Sequence, residues 1–375
     1  MNNCKKVGLI FCEDDVWNRY SFQKEKIDLN QFKNKKYKKF NLTLSKKEDG
    51  MYFYDYDLIF LKKLEIEGIK NNIIFDHYKN FRNECDYLII FGLYKIRKNE
   101  QELIKSNKKK ILYIAEPRAV DTTSYNKDLH KYFDIIFSND YFLVDNEKCF
   151  FTTGIHNVCK ENSEISEQIK EKLLCSFVTN RNLTGYKSTS KKKKLLINFF
   201  SSKIPNDFHL YGEGWDKYLI YKSDILSKII NKLLLYIYKI TYFKKILKNK
   251  NKSYKGLIQD KILTCGKYKF ELVIENSLAA YRNTDRIIST FFSGSVPLYY
   301  GPETIYDLVP SNCFIDLRKF ENESEVLVFL KNISIDKYRQ YLLNIRNFIN
   351  SDKFYHFTAD KTVNRFINEI KKFEI

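Results

Sequence analysis

Short, almost uninterrupted apolar runs recur along this chain in two blocks, and few folds accommodate that pattern. VGLIFC (7–12), YLIIFG (87–92), KILYIAE (110–116) and FDIIFS (133–138) form the first block. CSFVTN (175–180), FHLYG (208–212), KFELVIE (269–275), SVPLYYG (295–301) and NCFID (312–316) form the second. A strand with one face in water alternates apolar and polar residues; these hardly alternate, so both faces are expected to be covered. Their β-branched and aromatic content suits parallel strands, and IRKNEQELIKSN (96–107) between two of them reads as a crossover helix. The pattern predicts an α/β protein of two successive doubly wound, Rossmann-like domains facing a cleft. With 375 residues the chain is long enough for both.

The polar stretch ENSEISEQIKEKL (161–173) marks the expected linker, giving a first domain over 1–165 and a second over 166–350. DKYRQYLLNIRNFI (336–349) and ADKTVNRFINEIKKF (359–373) read as amphipathic helices, the latter a separate C-terminal helix within 351–375. Residues 223–255, SDILSKIINKLLLYIYKITYFKKILKNKNKSYK, are apolar and strongly basic and read as an amphipathic helical insert. Its lysines either stand in water or lie against the anionic headgroups of a membrane surface.

The formal net charge of +19 favours anionic partners, but it is spread over the whole chain, so solubilising charge and a polyanion footprint both remain open. Eight cysteines without a C-x-x-C pair argue against a zinc ribbon or disulfide scaffold and for a reducing, cytoplasmic setting, and the basic segment 223–255 adds an expected peripheral contact at the inner membrane face. Five scattered histidines without H-E-x-x-H argue against a His-based metal site. MNNCKKVGLIF is too short in its apolar part for a signal segment, and no apolar run of spanning length (about 18 residues) occurs.

One stretch concentrates chemistry. KYKFELVIENS predicts a strand ending in Glu275-Asn276-Ser277, at the carboxyl edge where α/β sheets bind ligands. YRNTDRIISTFF follows as a helix whose start carries Tyr281, Arg282, Thr284, Asp285 and Arg286. A helix start offers unpaired N–H groups and partial positive charge. Arg286 adds a guanidinium fork that matches phosphate oxygens, and Asp285 can accept both hydroxyls of a ribose diol. Taken alone, the stretch fits a nucleotide-diphosphate site or a solvated helix end.

KYKFELVIENS, TDRIISTFFSGSVPLYYG and VPSNCFIDLRKF together resemble the C-terminal signature of family 10 glycosyltransferases, the α-1,3-fucosyltransferases, over about fifty residues. LYGEGW (210–215), SYKG (253–256), ILYIAEP (111–117) and YFDIIFSNDYFLVD (132–145) extend the resemblance over most of Lys110 to Phe320. The resemblance implies a GT-B arrangement with no metal or other cofactor, GDP-fucose as donor in the second domain and a glycan acceptor, such as lipopolysaccharide, in the first. It implies inversion at the anomeric carbon and places the catalytic base at Glu116. It gives Arg286 the place of a diphosphate-binding lysine, and Lys192 or Lys193 the place of an upstream arginine. Asn276 and Glu275 fall within its E-N-S element. Where the family shows Y-[VI]-T-E-K, this chain reads R-N-T-D-R (282–286), which leaves base and sugar open to a different nucleotide-sugar.

Two other readings compete. A basic α/β protein could hold a polyanion without catalysis, with aromatic residues among lysines in YIYKITYFKK (236–245), although no nucleic-acid motif is present and no nucleic-acid partner is expected. A metal-dependent transferase could use Asp55-Tyr56-Asp57 as a D-x-D clamp.

Overall fold

The computed structural model describes residues 4–11, 44–46, 52–54, 56–81, 84–94, 96–114, 116, 118, 121–152, 170–180, 183, 186–216, 229–230, 232–233, 236, 251–258, 261–279 and 285–373. Two six-stranded sheets, all parallel, form its frame.

The first sheet is built from β1 (Lys5–Phe11), β4 (Ile73–His77), β5 (Tyr87–Phe91), β6 (Lys109–Ile114), β7 (Ile135–Ser138) and β8 (Cys149–Phe151), in the order β4-β1-β5-β6-β7-β8. β2 (Leu44–Lys46) and β3 (Tyr52–Tyr54) pair separately as a small antiparallel ribbon. Helices α1 (Tyr56–Lys70) and α2 (Lys98–Lys105) and the short α3 (Lys127–His130) lie among these strands in the chain. The continuous apolar runs bury both faces of the sheet. Val7, Leu9, Ile89, Ile111, Tyr113 and Phe137 point into one core. Their sequence neighbours Ile10, Leu88, Ile90, Leu112, Ile114 and Ile136 point into another.

The second sheet runs β11-β10-β9-β12-β13-β14. Its strands are β9 (Lys172–Phe177), β10 (Phe208–Tyr211), β11 (Tyr254–Gly256), β12 (Tyr268–Ile274), β13 (Val296–Tyr300) and β14 (Ile315–Asp316). Helices α4 (Ser190–Lys203), α5 (Lys261–Cys265), α6 (Asp285–Phe292), α7 (Ile305–Leu308), α8 (Glu323–Asn332) and α9 (Ile335–Asn350) accompany it. α6 stops where expected: Gly294, at φ 67°, takes the left-handed conformation that lets the chain turn back into β13. Lys170 seals that helix end, its buried ammonium donating to the Ser293 and Gly294 carbonyls and the Ser295 hydroxyl.

Two features depart from the sequence reading. The expected linker overlaps β9, whose first residues are Lys172 and Leu173, and Tyr254–Gly256 is an edge strand rather than the end of a helical insert. Most of 223–255 lies outside the described residues. β4, β8 and β11 lack continuous apolar runs because they sit at or near sheet edges; in β4, Ile73 is buried while Ile74 is exposed. The last helix, which the sequence assigns to neither sheet, is α10 (Ala359–Lys372). It packs on the first sheet, not the second, with Val363, Phe366, Ile367 and Ile370 buried against Leu64, Ile89 and Tyr113. Among the described residues, no helix is long and apolar enough to cross a membrane.

Candidate active site

In the second sheet the chain runs outward through β9, β10 and β11, then returns to place β12 on the other side of β9. That reversal opens a crevice between the carboxyl ends of β9 and β12, the place where open α/β sheets bind ligands. Arg286 reaches into this edge. Its Nη1 donates to the last carbonyl of β12, Ile274, at 2.7 Å and to Asn276 Oδ1 at 3.4 Å. The Glu275 carboxylate lies 3.8 Å from the same nitrogen and is fully buried. Glu275 therefore sits beneath Arg286 as its internal counter-ion, rather than on a ligand-facing wall. With one nitrogen anchored on the strand end, the guanidinium is oriented before any ligand arrives.

The packing below explains the glycine that closes VPLYYG. A Cβ at Gly301 would lie 2.3 Å from the Tyr299 hydroxyl and 2.6 Å from Glu275 Cγ, closer than atoms can approach. Burial, reinforced by the Glu275 charge, raises the pKa of Tyr299 well above its ordinary value, so the phenol stays neutral. The loop before α4 closes the other side. Thr189 donates its hydroxyl to the Glu275 carbonyl, its N–H bonds to the Asn276 carbonyl at 3.3 Å, and Ser188 bridges to Ser277. Thr189 and Gly301 were not among the residues singled out from sequence; the terminal glycine of the G-x-V-P-x-x-x-G turn (294–301) was the available signal.

The four-lysine run divides. Lys192 pairs with Glu323 of α8 at 2.6 Å and passes over the Tyr300 ring, at the end of β13. Lys193 is buried and donates to the Thr179 carbonyl at 3.2 Å, just beyond β9. Burial, with Lys193 alongside, pushes the Lys194 ammonium down to about 7. Nearby, the Asn180 amide donates to the Gly214 carbonyl at 2.9 Å, while its buried Oδ1 has no partner among the described residues. An orphan acceptor at a switch point is the kind of atom a bound ligand or water satisfies. Tyr281, Arg282 and Thr284 lie outside the described residues. Asp285 opens α6, and its side chain is outside them too.

On the first sheet, Glu116 follows β6 at the carboxyl edge and is half-buried. Its backbone carbonyl accepts the Tyr125 hydroxyl at 3.2 Å. The loop after it is tied down by Asp121, which is fully buried and accepts from the Leu93 N–H at 3.2 Å, the Ser124 N–H at 2.9 Å and the Ser124 hydroxyl. Leu93 lies just past β5, so this buried carboxylate fixes the Glu116 loop to the neighbouring strand end. The two sheets meet at these edges: Phe142, beyond β7, touches Tyr186, beyond β9, with ring centroids 6.3 Å apart. Tyr56 of the D-x-D reading opens α1, and Asp55 is outside the described residues. Among the described residues, no group of three or more His, Cys, Asp or Glu side chains is arranged to hold a metal.

Residues 222–367, which include β12, Arg286 and the Gly301 turn, match the model for glycosyltransferase family 10 (fucosyltransferase), C-terminal part. Residues 222–367 are thus similar to the C-terminal part of that family. Similar curated proteins include an alpha-(1,4)-fucosyltransferase of Arabidopsis thaliana, 36% identical over 69 residues, covering 18% of this chain and 17% of that protein. A 4-galactosyl-N-acetylglucosaminide 3-alpha-L-fucosyltransferase of Mus musculus is 27% identical over 180 residues, covering 48% of this chain and 37% of its own length. The chain thus spans well under half the length of the curated relatives it matches. Among solved structures, an alpha1,3-fucosyltransferase aligns over 97% of this chain and 90% of that one, with TM-score 0.50 and 13% identity. A DNA-modifying beta-glucosyltransferase aligns over 97% and 99%, with TM-score 0.54 and 12% identity. At such identities the likeness is one of fold, and that fold is GT-B: two Rossmann-like units facing a cleft.

Proposed function

We propose that this protein is an inverting, metal-independent glycosyltransferase that moves a fucosyl group from GDP-fucose to a hydroxyl of a cell-surface glycan. The observation that carries the reading is the pre-oriented Arg286 fork at the β9/β12 crevice, backed by buried Glu275, within the segment that matches the family 10 model. In this reading the Glu116 carboxylate takes the proton from the acceptor hydroxyl. The freed oxygen attacks the anomeric carbon from the face opposite the diphosphate, and the bond from that carbon to the phosphate oxygen breaks. GDP leaves with added negative charge, which Arg286 and Lys193 stabilise. The basic segment 223–255 would hold the protein on an anionic membrane face in the cytoplasm; Ile229, Leu233 and Tyr236 within it expose large apolar side chains.

A thermal-shift panel of GDP, UDP and CMP with their sugars tests the donor, because a ligand that binds only the native state raises the melting temperature by mass action. GDP and GDP-fucose should stabilise the protein. Stabilisation by UDP alone would replace fucose with another sugar, the alternative that the R-N-T-D-R replacement at 282–286 leaves open. Transfer that persists in excess chelator supports metal independence, and its loss would overturn it.

A further inference from the structure

We propose that Phe142 and Tyr186, with Lys187, form a platform across the cleft on which a pyranose ring of the acceptor glycan stacks. Both rings belong to the carboxyl-edge loops that carry the candidate chemistry. Phe142 lies in the turn after β7, next to the β6 edge of Glu116, and an Asp140 carboxylate accepting its N–H at 3.1 Å fixes that turn. Tyr186 lies in the loop between β9 and α4. Ser277 donates to the Tyr186 carbonyl at 3.1 Å, which ties it to the strand end beneath Arg286. The rings meet edge to face, at 89°, yet Phe142 keeps 62% and Tyr186 45% of its surface in solvent. Large aromatic side chains that touch across a cleft and still remain this exposed are poor packing and good ligand surface.

The backbone points the same way. Lys187 adopts φ 52°, a left-handed conformation unfavourable for a side chain of its size. The strain is held in place by the Leu278 N–H, which donates to the Lys187 carbonyl at 2.9 Å, and by the Ser188–Ser277 bridge. It puts the Lys187 ammonium 5.6 Å from the Phe142 centroid and 5.4 Å from that of Tyr186. Over-determined strain of this kind concentrates at ligand sites. A pyranose presents a face of slightly positive C–H groups, which the negative face of an aromatic ring attracts, and rim hydroxyls that an ammonium can bond. A ring seated here would lie between the Glu116 edge and the Arg286 edge, where an acceptor hydroxyl must be. This inference rests on the transferase reading for its acceptor, but binding can be tested without a donor.

The probe is N-acetyllactosamine, the 4-galactosyl-N-acetylglucosamine unit in the name of the mouse relative. Saturation-transfer NMR on the full chain, without nucleotide, should show the disaccharide's ring protons bound. The signal should vanish in Phe142→Ala and in Tyr186→Ala and survive in Phe142→Tyr. In steady-state transfer from GDP-fucose the alanine variants should raise the acceptor KM about tenfold, with the GDP thermal shift unchanged. Disaccharide binding lost in these variants, but no transfer from GDP-fucose in the unaltered protein, would sink the proposed donor and keep the platform. A GDP shift and a disaccharide signal that both survive in both alanine variants would overturn the platform and keep the function. Loss of the GDP shift in the variants, with disaccharide binding intact, would overturn it in favour of base stacking.

Discussion

Glu116 and Arg286 divide the proposed reaction between proton transfer and anion binding, and their substitutions should fail differently. Glu116→Gln should lower transfer at least about a hundredfold, as loss of a general base does, while the GDP thermal shift stays intact. Arg286→Ala should instead weaken GDP binding by roughly ten- to a hundredfold, the scale of a lost charge-assisted bond. Equal behaviour of the two variants in both assays would remove the assigned roles. Gly301→Ala drives a methyl group into Tyr299 and Glu275 and should destabilise the second domain by about 1–3 kcal/mol, read by urea denaturation. What sequence conveys at this scale is residue type and strand-end position: both placed Arg286 and Glu116 at carboxyl edges. It does not convey direction. Glu275 and Asn276 are adjacent, yet one is the buried counter-ion and the other a half-buried partner of Arg286, because side chains alternate faces as a strand ends. Lys192 and Lys193 part for the helical equivalent of that reason, about 100° apart on α4.

At the scale of elements, β14 and the turn after it hold a second charged unit beside the crevice. Arg318 clasps the Asp316 carboxylate through Nε at 2.9 Å and Nη2 at 2.6 Å, and Tyr306 donates to it at 2.6 Å. Burial alone would raise the Asp316 pKa; the bonds from Arg318 and Tyr306 outweigh it and hold the carboxyl below its ordinary value. Folding therefore favours the ionised form. The stabilisation is fully present above the unfolded value of about 4 and is lost as pH falls through the lower folded one. Arg318→Met should be less stable than the unaltered protein at pH 7, and the gap should narrow in urea melts taken below pH 4. A gap independent of pH would show that the clasp acts through packing alone. The elements themselves were legible wherever they are central: β5, β6, β12 and β13 lie within a residue or two of their apolar runs. The edge strands β4, β8 and β11 and the helix α1 were not, since a half-exposed strand has only alternation to reveal it, and YDLIFLKKLEIEGIK mixes charge into its apolar positions.

For the whole molecule, the two-unit plan could be read from the spacing of apolar runs, but the return of the chain to its first unit could not. Nothing in ADKTVNRFINEIKKF says which sheet its apolar stripe will meet. In the structure Phe366 packs among Phe60, Phe91, Tyr113 and Phe137, with centroids 5.6 to 6.1 Å away, and Arg365 donates to the Phe151 carbonyl while lying over the Phe137 ring. Phe366→Ala should cost about 3–5 kcal/mol and lower the unfolding transition of the first unit, although the residue belongs to the far end of the chain. Unchanged stability would mean that α10 does not hold that sheet in solution.

That late helix also sets a clock on the ribosome. The strands of the first sheet are complete by Phe151, but the helix that covers one of its faces begins at Ala359, about 200 residues later. At synthesis rates of about 5–20 residues per second, Val7, Ile89, Ile111 and Phe137 wait roughly 10 to 40 s without their cover. A nascent chain with that much uncovered apolar sheet depends on chaperones until its last turn emerges, and its yield of folded protein should fall most steeply when synthesis slows between those two points.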